Sequence, residues 1–231
     1  MPNRPESLPL HDAPPPAPQG VAVSGIVFAV LFSTSLLLLR LAVPADPAEP
    51  GVWLADPAAR QWLGWSLKLI PLAGIAFLWF MGVIRDHVAS REDRFFATVF
   101  LGSGILLVGL LFVAGGIAEG VLRMFDTSPH ETESLAAGSQ AAFVLGRRLA
   151  ASIMNTFASR MAAVFLFVTS SIGLRTKVWP RWISFAGYAC GLVLLLLISE
   201  YAAMLFLLPA WVLLVSLQVL RSAVPPRERA R

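Results

Sequence analysis

The sequence predicts an all-α polytopic membrane protein, a bundle of six transmembrane helices with an extra interfacial or protruding helix before the fourth span. Two observations favour this fold class. Of the 231 residues, 57% are hydrophobic and only 14% are charged, a balance that is not typical of a soluble domain. The apolar residues also fall into runs of about twenty, the length that a helix needs to cross a hydrocarbon core.

The chain begins with a proline-rich arm followed by the first apolar run. Residues 1–20 contain seven prolines and few apolar side chains, which predicts a disordered cytoplasmic arm. Span one covers about residues 21–43 and opens a six-span membrane domain that extends to residue 220. Its cluster of Ser33, Thr34 and Ser35 is expected to bond the backbone of its own helix.

The second and third spans follow after a turn-rich loop. Span two covers about residues 62–84, and Pro71 in its first half removes one backbone donor and so allows a kink. Span three covers about residues 95–118. It contains small residues that would let another helix approach closely, namely Gly102, Ser103, Gly104, Gly109, Gly115 and Gly116.

The longest connection leads into the fourth span, residues 152–174. It contains Ser128-Pro129-His130-Glu131, a capping box with proline at the first helical position, so a helix is expected to begin there. A continuous helix from there through span four would exceed what a bilayer needs. We therefore expect the helix to break near Gly138 or Gly146, or to protrude, with residues 129–151 in the interface or over the outer mouth of the bundle.

The fifth and sixth spans share one apolar run whose single charge is Glu200. Two crossings use nearly all of its length, which predicts spans at about 183–199 and 201–220 with a tight turn at Glu200. Pro209 is expected to kink span six. Residues 221–231 form a basic cytoplasmic tail.

The distribution of Lys and Arg predicts the orientation. Basic residues concentrate in the second and fourth loops and in the tail, so both termini are expected on the cytoplasmic side of the membrane. The long third loop, with three arginines, is the exception. The lipid bilayer is thus the first partner, and seven residues are expected to act as lipid-interface anchors: Trp62, Trp65, Arg175, Lys177, Trp179, Arg181 and Trp182.

No motif of a known catalytic chemistry is visible. The chain lacks a P-loop, a G-x-S-x-G elbow, an H-E-x-x-H pair and a dinucleotide fingerprint. The three histidines fall in the arm and in two loops on opposite faces, and the lone Cys190 lies in an apolar run. These observations predict a protein that is not an enzyme, with no catalytic residue, metal or cofactor and no nucleic acid as partner.

The ionisable residues at membrane depth are the candidates for a ligand or ion site. A charge in the hydrocarbon core is costly, so such residues are expected to face the bundle interior and to be paired or hydrated. They are predicted to gather toward the outer leaflet, with Glu119 and Glu200 as counter-ions to Arg160 and Lys68. The candidate site comprises Lys68, Glu119, Arg123, Asn155, Arg160 and Glu200.

The alternative to a ligand or ion site is that the same residues have a structural role. Lys68 would then extend to the outer headgroups, and Arg160 with Glu119 would form a static pair that holds spans three and four in register.

The segment SSIGLRTKVWPRWISFAGYACGL, residues 170–192, resembles a bacterial family of small multispanning proteins known only as a domain of unknown function. The shared pattern is a span that ends in Ser and Leu, a basic turn, Pro-Arg-Trp, and a glycine opening the next span. In this chain it comprises Ser171, Leu174, Pro180, Arg181, Trp182, Gly187 and Gly191. The resemblance implies a similar length and number of spans but no activity. The Arg-, Ala- and Pro-rich composition is typical of a GC-rich bacterial source.

Two functions are compatible with the sequence. The first is a non-catalytic membrane module, a sensor, accessory or partner-binding subunit, whose small-residue faces on spans three and five pack against another membrane protein or a second copy. The alternative is a small transporter or ion-coupled carrier that binds a small molecule or ion at the outward-facing charged cluster. Convergence of the charges within about 5 Å around a cavity would favour the carrier, and their dispersal would favour the module.

Overall fold

The computed structural model describes residues 18–44, 52–88, 94–124, 132–196 and 205–223. These residues form helices and turns without a strand, so the predicted all-α class is confirmed. The helices are α1 (Pro18–Ala42), a 3-10 turn (Val52–Ala55), α2 (Pro57–Val88), α3 (Arg94–Arg123), α4 (Thr132–Ser152), a π-helical segment (Ile153–Ala158), α5 (Ser159–Thr176), α6 (Arg181–Leu196) and α7 (Leu207–Ala223).

Four helical stretches within the described residues are long and apolar enough to cross a membrane. They are Ala22–Ala42, Pro57–Arg85, Phe95–Arg123 and Ala141–Thr176, and two shorter apolar helices follow, Arg181–Leu196 and Leu207–Arg221. The chain is therefore a helical bundle of the multi-pass membrane type. The predicted arm, the tail and the turn at Glu200 lie outside the described residues.

The helices pack in a ring. Helix α1 contacts α2 and α7, α2 contacts α3, α3 contacts α4 and α5, and α6 closes the ring between α5 and α7. Phenylalanines fill the centre: the ring of Phe77 lies 4.8 Å from that of Phe28 and 4.9 Å from that of Phe165, centroid to centroid. Such close packing provides the dispersion attraction that holds helices together where lipid is as apolar as the core.

Two long-range contacts define the ends of the bundle. At one end Arg147 Nη2 donates to the carbonyl of Pro44 at 3.1 Å. At the other, the guanidinium of Arg175 lies 4.3 Å from the centroid of the Phe96 ring. The 28 residues between Arg147 and Arg175 rise about 42 Å, close to the thickness of a bilayer with its headgroups. We call these the Arg147 end and the Arg175 end.

Of the two predicted alternatives before span four, the break near Gly138 or Gly146 is wrong, and the interfacial or protruding helix stays a prediction. Helix runs without interruption from Thr132 to Thr176, through both Gly138 and Gly146. Gly146 instead lets the helix pack closely against α3, because a Cβ at this position would overlap the side chain of Val121. The stretch that is long and apolar enough to cross a membrane therefore includes residues 141–151 as well as the predicted span four, residues 152–174.

Two smaller predictions are also corrected. Pro209 is the third residue of α7. The first turn of an α-helix does not use its backbone N–H groups in bonds within the helix, so a proline there removes no such bond and does not kink the helix. Ser35 does not bond its own helix: its hydroxyl donates to the carbonyl of Ser66 on α2 at 2.9 Å. Pro71 lies inside α2 as predicted, whereas the Ser128–Glu131 capping box falls outside the described residues.

Candidate functional site

Arg160 lies near the middle of the bundle. It follows Arg147 by 13 residues and precedes Arg175 by 15, which places it about 20 Å from one end and about 22 Å from the other. Its expected position toward the outer leaflet stays a prediction, and the helix that carries it starts well before residue 152. Half-buried Arg160 thus lies about midway between the two ends of the bundle. A charge at the middle of a membrane would be costly.

The π-helical segment holds the guanidinium of Arg160. Its Nη1 donates to the carbonyls of Asn155 at 3.1 Å and Thr156 at 2.9 Å and contacts Ser159 Oγ at 3.2 Å. Ser159 Oγ also donates to the Asn155 carbonyl, at 2.5 Å. The Arg160 and Ser159 side chains thus donate to main-chain carbonyls within the π-helical segment.

Glu119 pairs with its neighbour on α3 rather than with Arg160. Its Oε1 lies 2.6 Å from Nη2 of Arg123 and 3.2 Å from its Nε. The Arg123 and Glu119 side chains are 75% and 51% exposed. Because Gly146 packs on Val121, Glu119 lies roughly 18 Å from Arg160 along the bundle axis. Neither the predicted counter-ion role nor the static Arg160–Glu119 pair is what the structure shows.

Lys68 is exposed on α2, with its Nζ 5.0 Å from the ring centroid of Trp65. The packing of Phe77 on Phe165 places Lys68 about 6 Å nearer the Arg147 end than Arg160. An ammonium over an exposed indole is the geometry expected of a cation that reaches toward an interface.

The structure thus joins only some of the predicted site residues. Arg160 and Asn155 are in contact, and Glu119 and Arg123 form a separate pair, while Glu200 lies outside the described residues. Thr156, which sequence analysis missed, contributes a carbonyl to Arg160. Its only signal was its place in a polar run before an intramembrane arginine. The described residues contain no group of three or more His, Cys, Asp or Glu side chains suited to a metal.

One predicted lipid anchor is a core residue. Trp179 is only 5% exposed, and its Nε1 donates to Ser184 Oγ at 3.0 Å. Its indole covers Gly173, where a Cβ would overlap it. The other six predicted anchors are exposed, including Trp62, Trp65 and Trp182 at 48%, 51% and 56%.

The glycines of the bundle divide into two kinds. A Cβ at Gly104 would overlap Met81, and one at Gly187 would overlap Ser170, so these glycines are used inside the fold. Gly191 likewise packs on Ala163 and Phe167. On α3, by contrast, four exposed glycines have open space where a Cβ would stand: Gly102, Gly109, Gly116 and Gly120. The first three of them are seven residues apart.

Searches of this chain against protein-family models, curated proteins and solved structures find no match. The resemblance of residues 170–192 to a bacterial family therefore stays a prediction.

Proposed function

We propose that this protein is a non-catalytic module of the bacterial cytoplasmic membrane that crosses it six times, keeps both termini in the cytoplasm and associates with a second copy through α3. Helices α6 and α7 would be the fifth and sixth spans, in addition to the four long helical stretches. Their 16 and 17 residues rise about 24 Å and 26 Å. With their connecting residues, both approach the roughly 30 Å of a hydrocarbon core.

The observation that carries this proposal is the open glycine face of α3. Gly102, Gly109 and Gly116 present no side chain, and a Cβ at each would meet nothing within 4 Å. A seven-residue repeat keeps one face of a helix toward a neighbour over several turns. Exposed Ile105 and Val113 flank the glycines. Their side chains would pack into the groove that the glycines leave on a parallel α3 of another copy.

Charge complementarity favours a second copy as the occupant. Arg123 continues the seven-residue repeat after Gly116, and Glu119 lies one turn before it on the same side. Both are exposed and already form a pair within α3. A two-fold axis parallel to the helices would bring both copies of Glu119 and Arg123 to the same end of the interface. There the long Arg123 side chain of each copy would reach along the roughly 6 Å of helical rise to Glu119 of the other.

Dispersal of the charged residues supports a module over a carrier. The Glu119–Arg123 pair is exposed, Lys68 lies over Trp65, and Nη1 of Arg160 donates to carbonyls of its own helix. A carrier site would need these groups to converge on one cavity.

Disulfide trapping tests the association. Cys190 is the only cysteine, so Cys190→Ser supplies a cysteine-free background. Gly109→Cys in that background should cross-link two copies in membranes, because the two-fold axis would bring equivalent Cα atoms within about 7 Å. Ala189→Cys, at an exposed position on α6, is the matched control and should stay uncross-linked.

A bulky residue on the glycine face should separate the copies. We expect Gly109→Leu to shift the purified protein to monomer without loss of thermal stability, since Gly109 is exposed and a Cβ there meets open space. Ala189→Leu should leave the oligomeric state unchanged. A wild-type protein that is monomeric by sedimentation in mild detergent, with no cross-linking through Gly109→Cys, would refute the proposal.

A further inference from the structure

We propose that the turn between α5 and α6 binds the phosphate of an anionic phospholipid headgroup through Arg175, Lys177 and Arg181. All three side chains are exposed and lie where α5 ends and α6 begins, at the Arg175 end of the bundle. Trp182, beside Arg181, is 56% exposed, as expected of an aromatic residue at headgroup level. This inference does not depend on the pairing of α3.

The backbone of this turn has one defined conformation. Lys177 ends α5 in the left-handed region with φ 56°, and its N–H donates to the carbonyl of Gly173 at 3.0 Å. Lys177 is the only non-glycine residue with a positive φ among the residues described. A side chain in that region is strained, so the surrounding contacts must hold it there. The next turn is closed by Ile183 N–H donating to the Pro180 carbonyl at 3.1 Å.

Trp179 packs between the end of α5 and the start of α6 and stabilises the turn. Its indole is buried against Gly173 on α5, and its N–H donates to Ser184 on α6 at 3.0 Å. One side chain thereby fixes the end of α5 relative to the start of α6. The cations before and after Trp179 are therefore carried on a rigid support, which lowers the entropic cost of binding an anion.

Arg175 is oriented for an anion by Phe96 on α3. Its guanidinium carbon lies 4.3 Å from the ring centroid, so an aromatic face supports the cation and restricts its movement. A guanidinium stacked on a ring keeps its N–H groups in its own plane, where they can bond two phosphate oxygens at once.

The described cations at this end of the bundle are complementary to a phosphate. The described side chains there include five cations and no carboxylate: Arg85, Arg175, Lys177, Arg181 and Arg221. Basic groups at the ends of transmembrane helices attract anionic lipid headgroups. The exposed apolar surface of α6, including Phe185 and Leu192, continues from Arg181 toward mid-depth, where it can contact the acyl chains of the same lipid.

Thermal unfolding in phosphatidylcholine nanodiscs titrated with phosphatidylglycerol tests this site. The wild type should be stabilised at a low fraction of the anionic lipid. Each of Arg175→Gln, Lys177→Gly and Arg181→Gln should raise the half-saturating fraction about fivefold, the usual weight of one cation near a membrane surface. Lys177→Gly suits the left-handed backbone, so it should lower lipid binding while leaving intrinsic stability equal or higher.

Arg221→Gln is the matched control, because it removes an exposed cation at the same end but on α7. It should change the half-saturating fraction less than twofold. If it acts as strongly as Arg181→Gln, binding reflects overall charge and the proposed site is wrong. The proposal also fails if phosphatidylglycerol does not stabilise the wild type, or if millimolar inorganic phosphate in phosphatidylcholine nanodiscs stabilises it equally.

Discussion

Ser35 on α1 and Ser66 on α2 bond each other reciprocally across the helix interface. The hydroxyl of Ser35 donates to the Ser66 carbonyl at 2.9 Å, and the hydroxyl of Ser66 donates to the Ser35 carbonyl at the same distance. Both residues are buried, and their Oγ atoms lie 3.2 Å apart. Small side chains let the two backbones approach closely enough for each carbonyl to serve the other helix.

Because each acceptor is a main-chain carbonyl, loss of one hydroxyl leaves the other bond intact. We expect Ser35→Ala and Ser66→Ala each to lower the free energy of unfolding by about 0.6–1 kcal/mol, with the double variant near the sum. Denaturant unfolding in mixed micelles would measure this. Thr34→Ala, at an exposed position, should have no comparable effect. A single variant as unstable as the double would show that the hydroxyls depend on one another.

Replacement of Arg160 by leucine should change stability little. The three contacts of Nη1 are worth about 1 kcal/mol each. An arginine at the centre of a membrane helix costs a comparable amount, about 3 kcal/mol, relative to an apolar residue. We therefore expect Arg160→Leu to lie within about 1 kcal/mol of the wild type by thermal unfolding.

A loss above about 3 kcal/mol in Arg160→Leu would instead reveal a carboxylate left unpaired in the membrane. The same experiment across a panel of anions, cations and small metabolites examines the carrier alternative. A ligand that stabilises the wild type but not Arg160→Gln would place a binding site at this residue.

Gly173 should not tolerate alanine. A Cβ there overlaps the Trp179 indole, which is buried and cannot move without disturbing both α5 and α6. We expect Gly173→Ala to lower the unfolding free energy by about 1–3 kcal/mol. Gly82 on α2 has open space around its Cβ position, so Gly82→Ala should stabilise by roughly 0.5–1 kcal/mol through helix propensity. Similar melting temperatures for the two variants would contradict this packing.

Trp179 and Trp182 should respond differently to phenylalanine. Trp179→Phe removes the N–H that bonds Ser184 and part of a buried ring, so a loss of about 1–3 kcal/mol is expected. Trp182→Phe, at an exposed position, should cost less than about 0.5 kcal/mol.

Brominated lipids should quench the fluorescence of Trp182 more than that of Trp179, measured in proteins that retain each tryptophan alone. Equal quenching would contradict the burial of Trp179.

Most helices could be predicted from local apolar content. The expected span at residues 21–43 corresponds to α1, Pro18–Ala42, and that at 95–118 lies inside α3, Arg94–Arg123. The continuity of α4 with α5 could not be predicted, because Gly146 has the same propensity whether it ends a helix or admits a neighbour. Contact with Val121 decides between the two, and that contact joins residues distant in sequence.

The candidate site was harder to predict than the helices. The sequence identified Arg160 as a charge within an apolar run, but not the π-helical carbonyls that its Nη1 contacts, since one extra residue in a turn leaves no mark on composition. It also grouped Trp179 with Trp182 because both flank the same basic turn. Burial of one and exposure of the other depends on where α5 meets α6.

By itself, the sequence determined that this chain is an all-α protein of the membrane type, because the length and polarity of each run are local properties. Only the tertiary structure decided which glycines face a neighbour and which stay open, and which cations pair. Those outcomes depend on helix rotation and register, and a rotation of one residue, about 100°, moves a side chain from the core to the lipid. Gly104 and Gly102 are two residues apart on α3, yet a Cβ at Gly104 would overlap Met81 and a Cβ at Gly102 would meet open space.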